Sequence, residues 1–289
     1  MNISRPAALT AYFFIACALG CALAYPIYLA SGLNFERILS RTILVCFVVL
    51  FYPAFKLLRF SQFSDLGFQP HQRYKTSINA WLIGIIMLIP ISWFFNACGY
   101  RVWEPLAAPP FISPLSTILL AILSGTLIGL IEETFFRGVT QSVLLEKFTP
   151  LLAIVFVNII YSSVHFLEVP DEAFHQTITW SSGFTLFLSA FQPLLNIASQ
   201  WDSWLALFAA GIFLSLIRLH TNNLFWCIGL HAGWVTHIKV FKSFTDRNSN
   251  ASCSSWAGDY DNYVGEFSLI WITLLLIAVW WTMRNKKIS

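Results

Sequence analysis

The sequence predicts an all-α protein, built as a polytopic bundle of about eight transmembrane helices. Of its 289 residues, 57% are hydrophobic and 11% are charged, whereas a soluble domain carries about 25% charged residues. The mean hydropathy is +0.68. A helix that crosses a bilayer needs about 20 mostly apolar residues, and the chain repeats such stretches from end to end. We therefore expect an integral membrane protein.

The predicted spans are the long apolar stretches, which cover residues 8–30, 42–58, 77–97, 116–146, 150–166, 201–218, 222–242 and 267–283. A ninth stretch at 181–198 is short and contains polar residues and a proline. We expect it to be a short, re-entrant or interfacial helix. The first stretch is longer than the apolar part of a signal peptide, so it is predicted to remain as a helix.

Basic residues predict the orientation of these spans. The most basic segments contain Arg59, Arg73 and Lys75 in one loop and Arg284, Lys286 and Lys287 in the C-terminal tail. Eight spans place both segments on one face, and basic loops favour the cytoplasmic face. Both termini are therefore predicted to be cytoplasmic, although Arg37 and Arg41 would then lie near the opposite face.

The formal net charge of +3 is spread among the loops, so it forms no basic stripe of the kind that binds nucleic acid. Membrane lipids are the expected surroundings, and most tryptophans and phenylalanines are expected to face them. The six cysteines form no CxxC pair. Cys17, Cys21, Cys46, Cys98 and Cys227 are predicted to be small core residues, and Cys253 lies in the polar loop at 244–266.

Charged residues inside an apolar span are costly, so each marks a candidate functional site. The segment EETFFRG at 132–138 lies within the predicted span at 116–146. Glu133 and Arg137 are four residues apart and share a helix face, where they can form an ion pair. Glu132 points about 100° away, so its carboxylate is predicted to be available for chemistry.

A histidine in the next span is predicted to reach the same depth as Glu132. If the chain turns at 147–149, Glu132 precedes the turn by about as many residues as His165 follows it. The two side chains would then meet in an antiparallel helical hairpin. A carboxylate beside an imidazole can hold and deprotonate a water molecule.

A second histidine, His231, lies in the predicted span at 222–242 between Gly229 and Gly233. Two small residues at this spacing let another helix approach closely, so His231 can join the same cavity. A second imidazole there can stabilise the oxyanion that forms when water attacks a peptide carbonyl.

These residues resemble the motifs of the CAAX-protease and bacteriocin-processing family, also called Abi or type II CAAX prenyl endopeptidases. EETFFRG matches its EExxxR motif, Tyr161 to His165 is similar to its FxxxH motif with Tyr for Phe, and His231 falls at its HxxxN motif. The resemblance implies a catalytic core at 115–245, with N-terminal helices at 1–114 and a polar loop and last helix at 246–289.

The resemblance also implies a role for each motif residue. Glu132 and His165 would activate the water, Glu133 and Arg137 would organise the site, and His231 would help to form the oxyanion hole. The sequence departs from the motif at Val235, where the family often has Asn, because valine donates no hydrogen bond. Candidate replacements are Thr236, His237 and Asn158.

A zinc ion is the alternative to a metal-free mechanism, because a carboxylate and two imidazoles form a known catalytic ligand set. Glu132, His165 and His231 would be its ligands. The sequence lacks HExxH, and the resemblance is equally consistent with a water activated by glutamate alone. We expect no metal and no other cofactor.

The remaining polar residues of the spans and short loops are predicted to be structural. His175, His220 and His237 are expected to be interfacial or structural, and Glu168, Asp171 and Glu172 to form a solvated loop after His165.

The leading hypothesis is an intramembrane endopeptidase in a bacterial cytoplasmic membrane, acting on a membrane-associated, lipidated or CAAX-like peptide. One alternative is a membrane immunity or scaffold protein of the same fold without catalysis, which Val235 favours. The other is a proton-coupled transporter, whose buried acids and imidazoles would relay protons. The absence of repeated halves in the sequence stands against the transporter.

Overall fold

The computed structural model describes residues 3–69, 73–104, 114–170 and 177–285. Within them, the regular secondary structure is helical apart from two short strands. The helices are α1 (Arg5–Ser31), α2 (Phe35–Leu57), α3 (Arg73–Ala97), α4 (Pro114–Glu133), α5 (Gln141–Leu145), α6 (Pro150–Val164), α7 (Ser182–Ser189), α8 (Trp201–Thr221), α9 (Leu224–Ser243) and α10 (Glu266–Asn285). The strands are β1 (Arg101–Trp103) and β2 (Thr245–Arg247). Asp171, Glu172, His175, Lys286 and Lys287, for which we made predictions, lie outside the described residues.

The all-α membrane bundle predicted from composition is confirmed, although the count of eight spans is not. Five helical stretches of the described chain are long and apolar enough to cross a membrane, namely Arg5–Ser31, Phe35–Leu57, Tyr74–Ala97, Pro114–Leu145 and Ser182–Thr221. Pro150–Val164 and Glu266–Thr282 are apolar but shorter. The predicted ninth stretch contains α7, followed by a 3₁₀ segment, Gln192–Gln200, that leads directly into α8.

One compact unit comprises residues 1–62 and 163–199. Within it, α1 packs against α2 and α7. The Thr42 hydroxyl donates to the Gly20 carbonyl at 3.1 Å, and the Tyr12 hydroxyl donates to the Phe47 carbonyl at 2.5 Å. These polar contacts join α1 to α2 where the surrounding side chains are apolar.

The second unit comprises residues 63–162 and 200–289, and it carries Glu132, Glu133, Arg137 and His231. In this unit α9 packs against α3, α4 and α8. A Cβ atom at Gly229 would lie 2.5 Å from the Ser77 carbonyl oxygen of α3, and one at Gly233 would collide with the Trp81 carbonyl. The predicted close helix approach at these glycines is therefore confirmed, and its partner is α3.

The ends of α3 and α9 are joined by a polar cap, which we define as residues 101–104, which include β1, and residues 244–266, which include β2. The two strands pair antiparallel, with Val102 opposite Asp246. A disulfide joins Cys98 to Cys253, so the prediction that Cys98 is a plain core residue was wrong. The pairing partner lies 155 residues away, and only the return of the chain through the cap brings the two thiols together. Cys17, Cys21, Cys46 and Cys227 are buried and free, as predicted.

Candidate active site

Glu133, the last residue of α4, is the centre of a buried polar cluster. Its Oε1 accepts a hydrogen bond from Arg137 Nη1 at 2.9 Å and lies 2.7 Å from His231 Nδ1. The Glu133 and Arg137 side chains are both 0% exposed. The predicted ion pair is therefore present, and α9 supplies a histidine to the same carboxylate.

The other edge of the Arg137 guanidinium anchors two more helices. Nη2 donates to Asn158 Oδ1 of α6 and to the Gly211 carbonyl of α8, both at 3.1 Å. The Arg137 Cζ atom also lies 4.2 Å from the centre of the Tyr161 ring, a favourable cation–π distance. Tyr161, the aromatic residue of the second motif, thus packs against the cation that holds Glu133.

Asn158 holds Arg137 in turn and is itself completely buried. Its Nδ2 donates to the Ile154 carbonyl at 2.8 Å and to Ser215 Oγ at 2.9 Å. Because an amide nitrogen has two protons, both are used here. The hypothesis that Asn158 replaces the missing oxyanion donor is therefore wrong, and its role is to fix Arg137.

Gly211 lets α8 come close enough for this contact. A Cβ atom at this position would collide with Asn158 Oδ1 and lie 3.0 Å from the Tyr161 ring. Glycine is therefore required where the α8 backbone meets Arg137 and Asn158. Sequence reasoning missed Gly211 and Ser215, although the Gly-x-x-x-Ser spacing at 211–215 is a small-residue pattern typical of close helix packing.

The segment Thr134–Thr140 between α4 and α5 is a π-helix, which contains Arg137. Segments of this type are rare and occur frequently at functional sites. The sequence predicted one continuous helix over 116–146. The chain is helical without interruption from Pro114 to Leu145, but the α-helix changes to the wider π-helix immediately after Glu133.

His231 is oriented by Glu133 and presents its other nitrogen to Glu132. A carboxylate held by arginine is ionised and can only accept, so His231 Nδ1 is the donor of their hydrogen bond. Nε2 then lies 3.9 Å from Glu132 Oε2, too far for a direct hydrogen bond and suited to sharing a bridging water. The Glu132 side chain is 29% exposed, in contrast to the enclosed Glu133.

The two remaining candidate oxyanion donors are engaged elsewhere. Thr236 Oγ1 donates to the Ala232 carbonyl at 2.7 Å and accepts from Trp81 Nε1 at 3.2 Å. His237 Nε2 lies 2.7 Å from Ser92 Oγ, which is 2.9 Å from the Tyr263 hydroxyl. These contacts hold α9 to α3 and to the cap, so neither residue replaces the asparagine of the motif.

His165 follows the end of α6 in a turn and is half-buried. It belongs to the unit with residues 163–199, whereas Glu132 belongs to the other unit. The predicted turn before α6 is present between Leu145 and Pro150. The pairing of His165 with Glu132 stays a prediction.

A metal site requires several ligands at one point. Within residues 3–69, 73–104, 114–170 and 177–285, no set of three His, Cys, Asp or Glu side chains is arranged to hold a metal ion. One nitrogen of His231 is also engaged by Glu133. We therefore derive the chemistry below from the side chains alone.

Comparison with known families connects this geometry to a protein class. Residues 114–237 match the model of the family described as type II CAAX prenyl endopeptidase Rce1-like. Over this stretch the chain is similar to that family. The match confirms the resemblance seen in the three motifs, since the matched stretch includes α4, α6 and most of α9 with Glu132, His165 and His231. Neither a curated protein nor a solved structure matches the chain.

Proposed function

We propose that this protein is an intramembrane endopeptidase that hydrolyses a peptide bond of a membrane-associated substrate with a water molecule activated by Glu132. The observation that carries the proposal is the arrangement of three side chains. Glu133 fixes His231 Nδ1 at 2.7 Å, and His231 Nε2 faces Glu132 Oε2 across 3.9 Å. The Glu132 carboxylate and the oriented imidazole therefore face one point.

Glu132 acts as the general base in this proposal. A water between Glu132 and His231 transfers a proton to the carboxylate while its oxygen attacks the peptide carbonyl carbon. The new carbon–oxygen bond displaces the carbonyl π electrons onto the carbonyl oxygen. No covalent bond forms between enzyme and substrate.

His231 stabilises the resulting oxyanion. In its protonated form, Nε2 carries a hydrogen that donates to the negative oxygen, and the ionised Glu133 stabilises that form through Nδ1. The tetrahedral intermediate then collapses. The carbon–nitrogen bond breaks, and the departing nitrogen takes the proton that Glu132 received from water.

The remaining motif residues support this centre. Arg137, held by Asn158, Tyr161 and Gly211, keeps Glu133 charged and stationary. His165 is proposed to act with Glu132 on the water, as the FxxxH motif implies. The reaction uses no metal in this scheme.

The proposed substrate is a peptide attached to the membrane, either through a lipid group or by a CAAX-like end. Supporting this class, the stretch that matches the Rce1-like family includes the apolar helical segments Pro114–Leu145, Pro150–Val164 and Ser182–Thr221. A bacterial cytoplasmic membrane is the proposed location.

The test compares new peptide termini in membranes of cells that express the wild type or Glu132→Gln at equal levels. Glutamine keeps the size and polarity of the side chain but removes the base. Products that appear with the wild type and vanish with Glu132→Gln support proteolysis and identify a substrate. Identical profiles would favour an immunity or scaffold protein, and proton flux in proteoliposomes would favour the transporter.

A further inference from the structure

An oxyanion hole commonly has more than one donor, and His231 supplies one hydrogen. Val235 donates none through its side chain. Asn158, Thr236 and His237 are engaged with other groups. A donor that is buried near His231 and not engaged within the protein is therefore of interest.

Trp234 has these properties. Its side chain is buried, with 6% exposure, and its indole Nε1 has no acceptor among the residues that the structure describes. Buried donors are nearly always paired, and an unpaired one costs free energy. Such an N–H is typical of a site that binds something the protein itself does not supply.

The indole lies beside the imidazole of the site. Its ring centre is 6.4 Å from that of His231 and 5.9 Å from that of Phe213. Trp234 follows His231 by three residues, and side chains at this spacing are neighbours on one helix face. The motif asparagine, at a spacing of four, would occupy the same turn of α9. The indole N–H of Trp234 therefore lies one residue before Val235, the position at which the motif has asparagine.

Two comparisons within this unit distinguish Trp234 from other buried donors. Trp81 also places an indole between helices, but its Nε1 donates to Thr236 Oγ1 at 3.2 Å. Arg137 Nε has no acceptor among the described residues, yet its guanidinium is 0% exposed and lies against the Tyr161 ring. Trp234 differs from Trp81 because its Nε1 has no acceptor among the described residues. It differs from Arg137 because its ring lies next to that of His231, whereas the guanidinium lies against Tyr161.

We propose that the indole N–H of Trp234 donates a hydrogen bond to the substrate carbonyl oxygen and, with His231, stabilises the oxyanion. This proposal rests on the proposed function. It assigns a catalytic role to an unspecified position of the HxxxN motif, between His231 and Val235. The indole makes and breaks no covalent bond, and it retains its proton throughout.

Trp234→Phe tests the proposal, because phenylalanine keeps an aromatic ring against Phe213 and removes the N–H. We expect kcat to fall about 100-fold, as for the loss of one oxyanion donor, with KM nearly unchanged. Trp81→Phe is the matched control. It removes an indole N–H that lies between α3 and α9 and already donates to Thr236 Oγ1, so it should leave kcat within a few fold of the wild type. Equal unfolding temperatures of the two variants would exclude a general loss of structure.

A rescue experiment provides the second measurement. Adding Val235→Asn to Trp234→Phe places an amide donor on the same turn, and we expect it to recover a large part of the lost kcat. An unchanged kcat in Trp234→Phe, or a rise in KM alone, overturns the role of the indole. Cleavage by the wild type and its loss in Glu132→Gln depend on the proposed function only, so these two measurements distinguish a failure of that function from a failure of this inference.

Discussion

Glu133 Oε1 lies 2.7 Å from His231 Nδ1, although 98 residues separate the two in the chain. The same oxygen also accepts from Arg137 Nη1. One buried carboxylate thus joins the end of α4, the π-helical segment and α9. Its position determines which nitrogen of His231 faces Glu132.

Glu133→Gln should therefore abolish most activity while the fold remains intact. Glutamine can accept from Arg137 or donate to His231, but it no longer stabilises a protonated imidazole. We expect kcat to fall by about 1,000-fold or more, by analogy with the loss of the carboxylate that orients a catalytic histidine. Steady-state kinetics of the purified protein would measure this. A variant with kcat near that of the wild type would show that Glu133 is structural.

Asn158→Leu should weaken both stability and activity, because it removes one acceptor of Arg137 and the bond to Ser215. Hydrogen bonds between helices in membranes contribute about 0.6 kcal/mol on average and up to about 1.7 kcal/mol. We expect a loss of about 1–3 kcal/mol in the free energy of unfolding, together with reduced kcat.

Ser203→Ala is the matched control for that experiment. Ser203 is also a fully buried residue of the second unit, and its hydroxyl donates to the Val264 carbonyl at 2.6 Å. It should lower unfolding stability by a similar amount per hydrogen bond lost and leave kcat unchanged. If both variants reduce kcat in proportion to their stability, Asn158 has no specific effect on the site.

Gly211→Ala should destabilise the protein through a single methyl group. The added Cβ would collide with Asn158 Oδ1 and press on the Tyr161 ring. Overpacking of this kind costs about 1–3 kcal/mol. In a double-mutant cycle, Asn158→Ala should relieve part of that loss, and additive effects would contradict the proposed close contact.

The disulfide predicts which side of the membrane the cap occupies. Disulfides persist in oxidising compartments and are rare in the cytosol. We therefore expect the ends of α3 and α9 to face away from the cytoplasm, which places the start of α3 near Lys75 on the cytoplasmic side in agreement with the basic-loop prediction. After reduction of the disulfide in intact cells, a membrane-impermeant maleimide should label Cys253. Labelling of Cys253 only after cell lysis would show that the cap faces the cytoplasm and would contradict this orientation.

The cap should also respond to pH through two neighbouring carboxyl groups. The hydrogen bond to Asp246 and the charge of that residue raise the pKa of Glu104 above its ordinary value of 4.5. A raised pKa in an acid means that the folded cap binds protons more readily than the unfolded chain. The repulsion therefore weakens the cap above the folded pKa of Glu104 and is relieved as the pH falls through it.

Asp246→Asn removes this repulsion and provides the test. At neutral pH the variant should slow hydrogen exchange of the amides in β1 and β2 relative to the wild type. The difference should shrink as the pH is lowered towards the ordinary value of 4.5 for glutamate. A difference that is independent of pH would contradict the proposed repulsion between Glu104 and Asp246.

The sequence predicted the local part of the site well. Apolar runs located the helices, and the spacing of Glu133 and Arg137 predicted an ion pair that the structure contains at 2.9 Å. The turn at 147–149, which the sequence analysis assumed, is present between Leu145 and Pro150. These features depend on neighbours within a few residues, where helix periodicity is decisive.

Features that depend on tertiary packing were not predictable. The bond from Glu133 to His231, the anchoring of Arg137 by Asn158 and Gly211, and the disulfide between Cys98 and Cys253 each join distant segments. The π-helical segment contains Arg137, which bonds to α6 and α8. No periodicity in the sequence encodes these distances.

The most direct test of the central claim is the cleavage rate of the purified, reconstituted wild type and Glu132→Gln on a substrate identified from the membrane profiles. Glu266→Gln, a change at the first residue of α10 and outside the site, is the matched control. We predict that Glu132→Gln lowers kcat by at least about 100-fold, while Glu266→Gln remains close to the wild type. Equal rates for all three proteins would contradict the assignment of Glu132 as the general base.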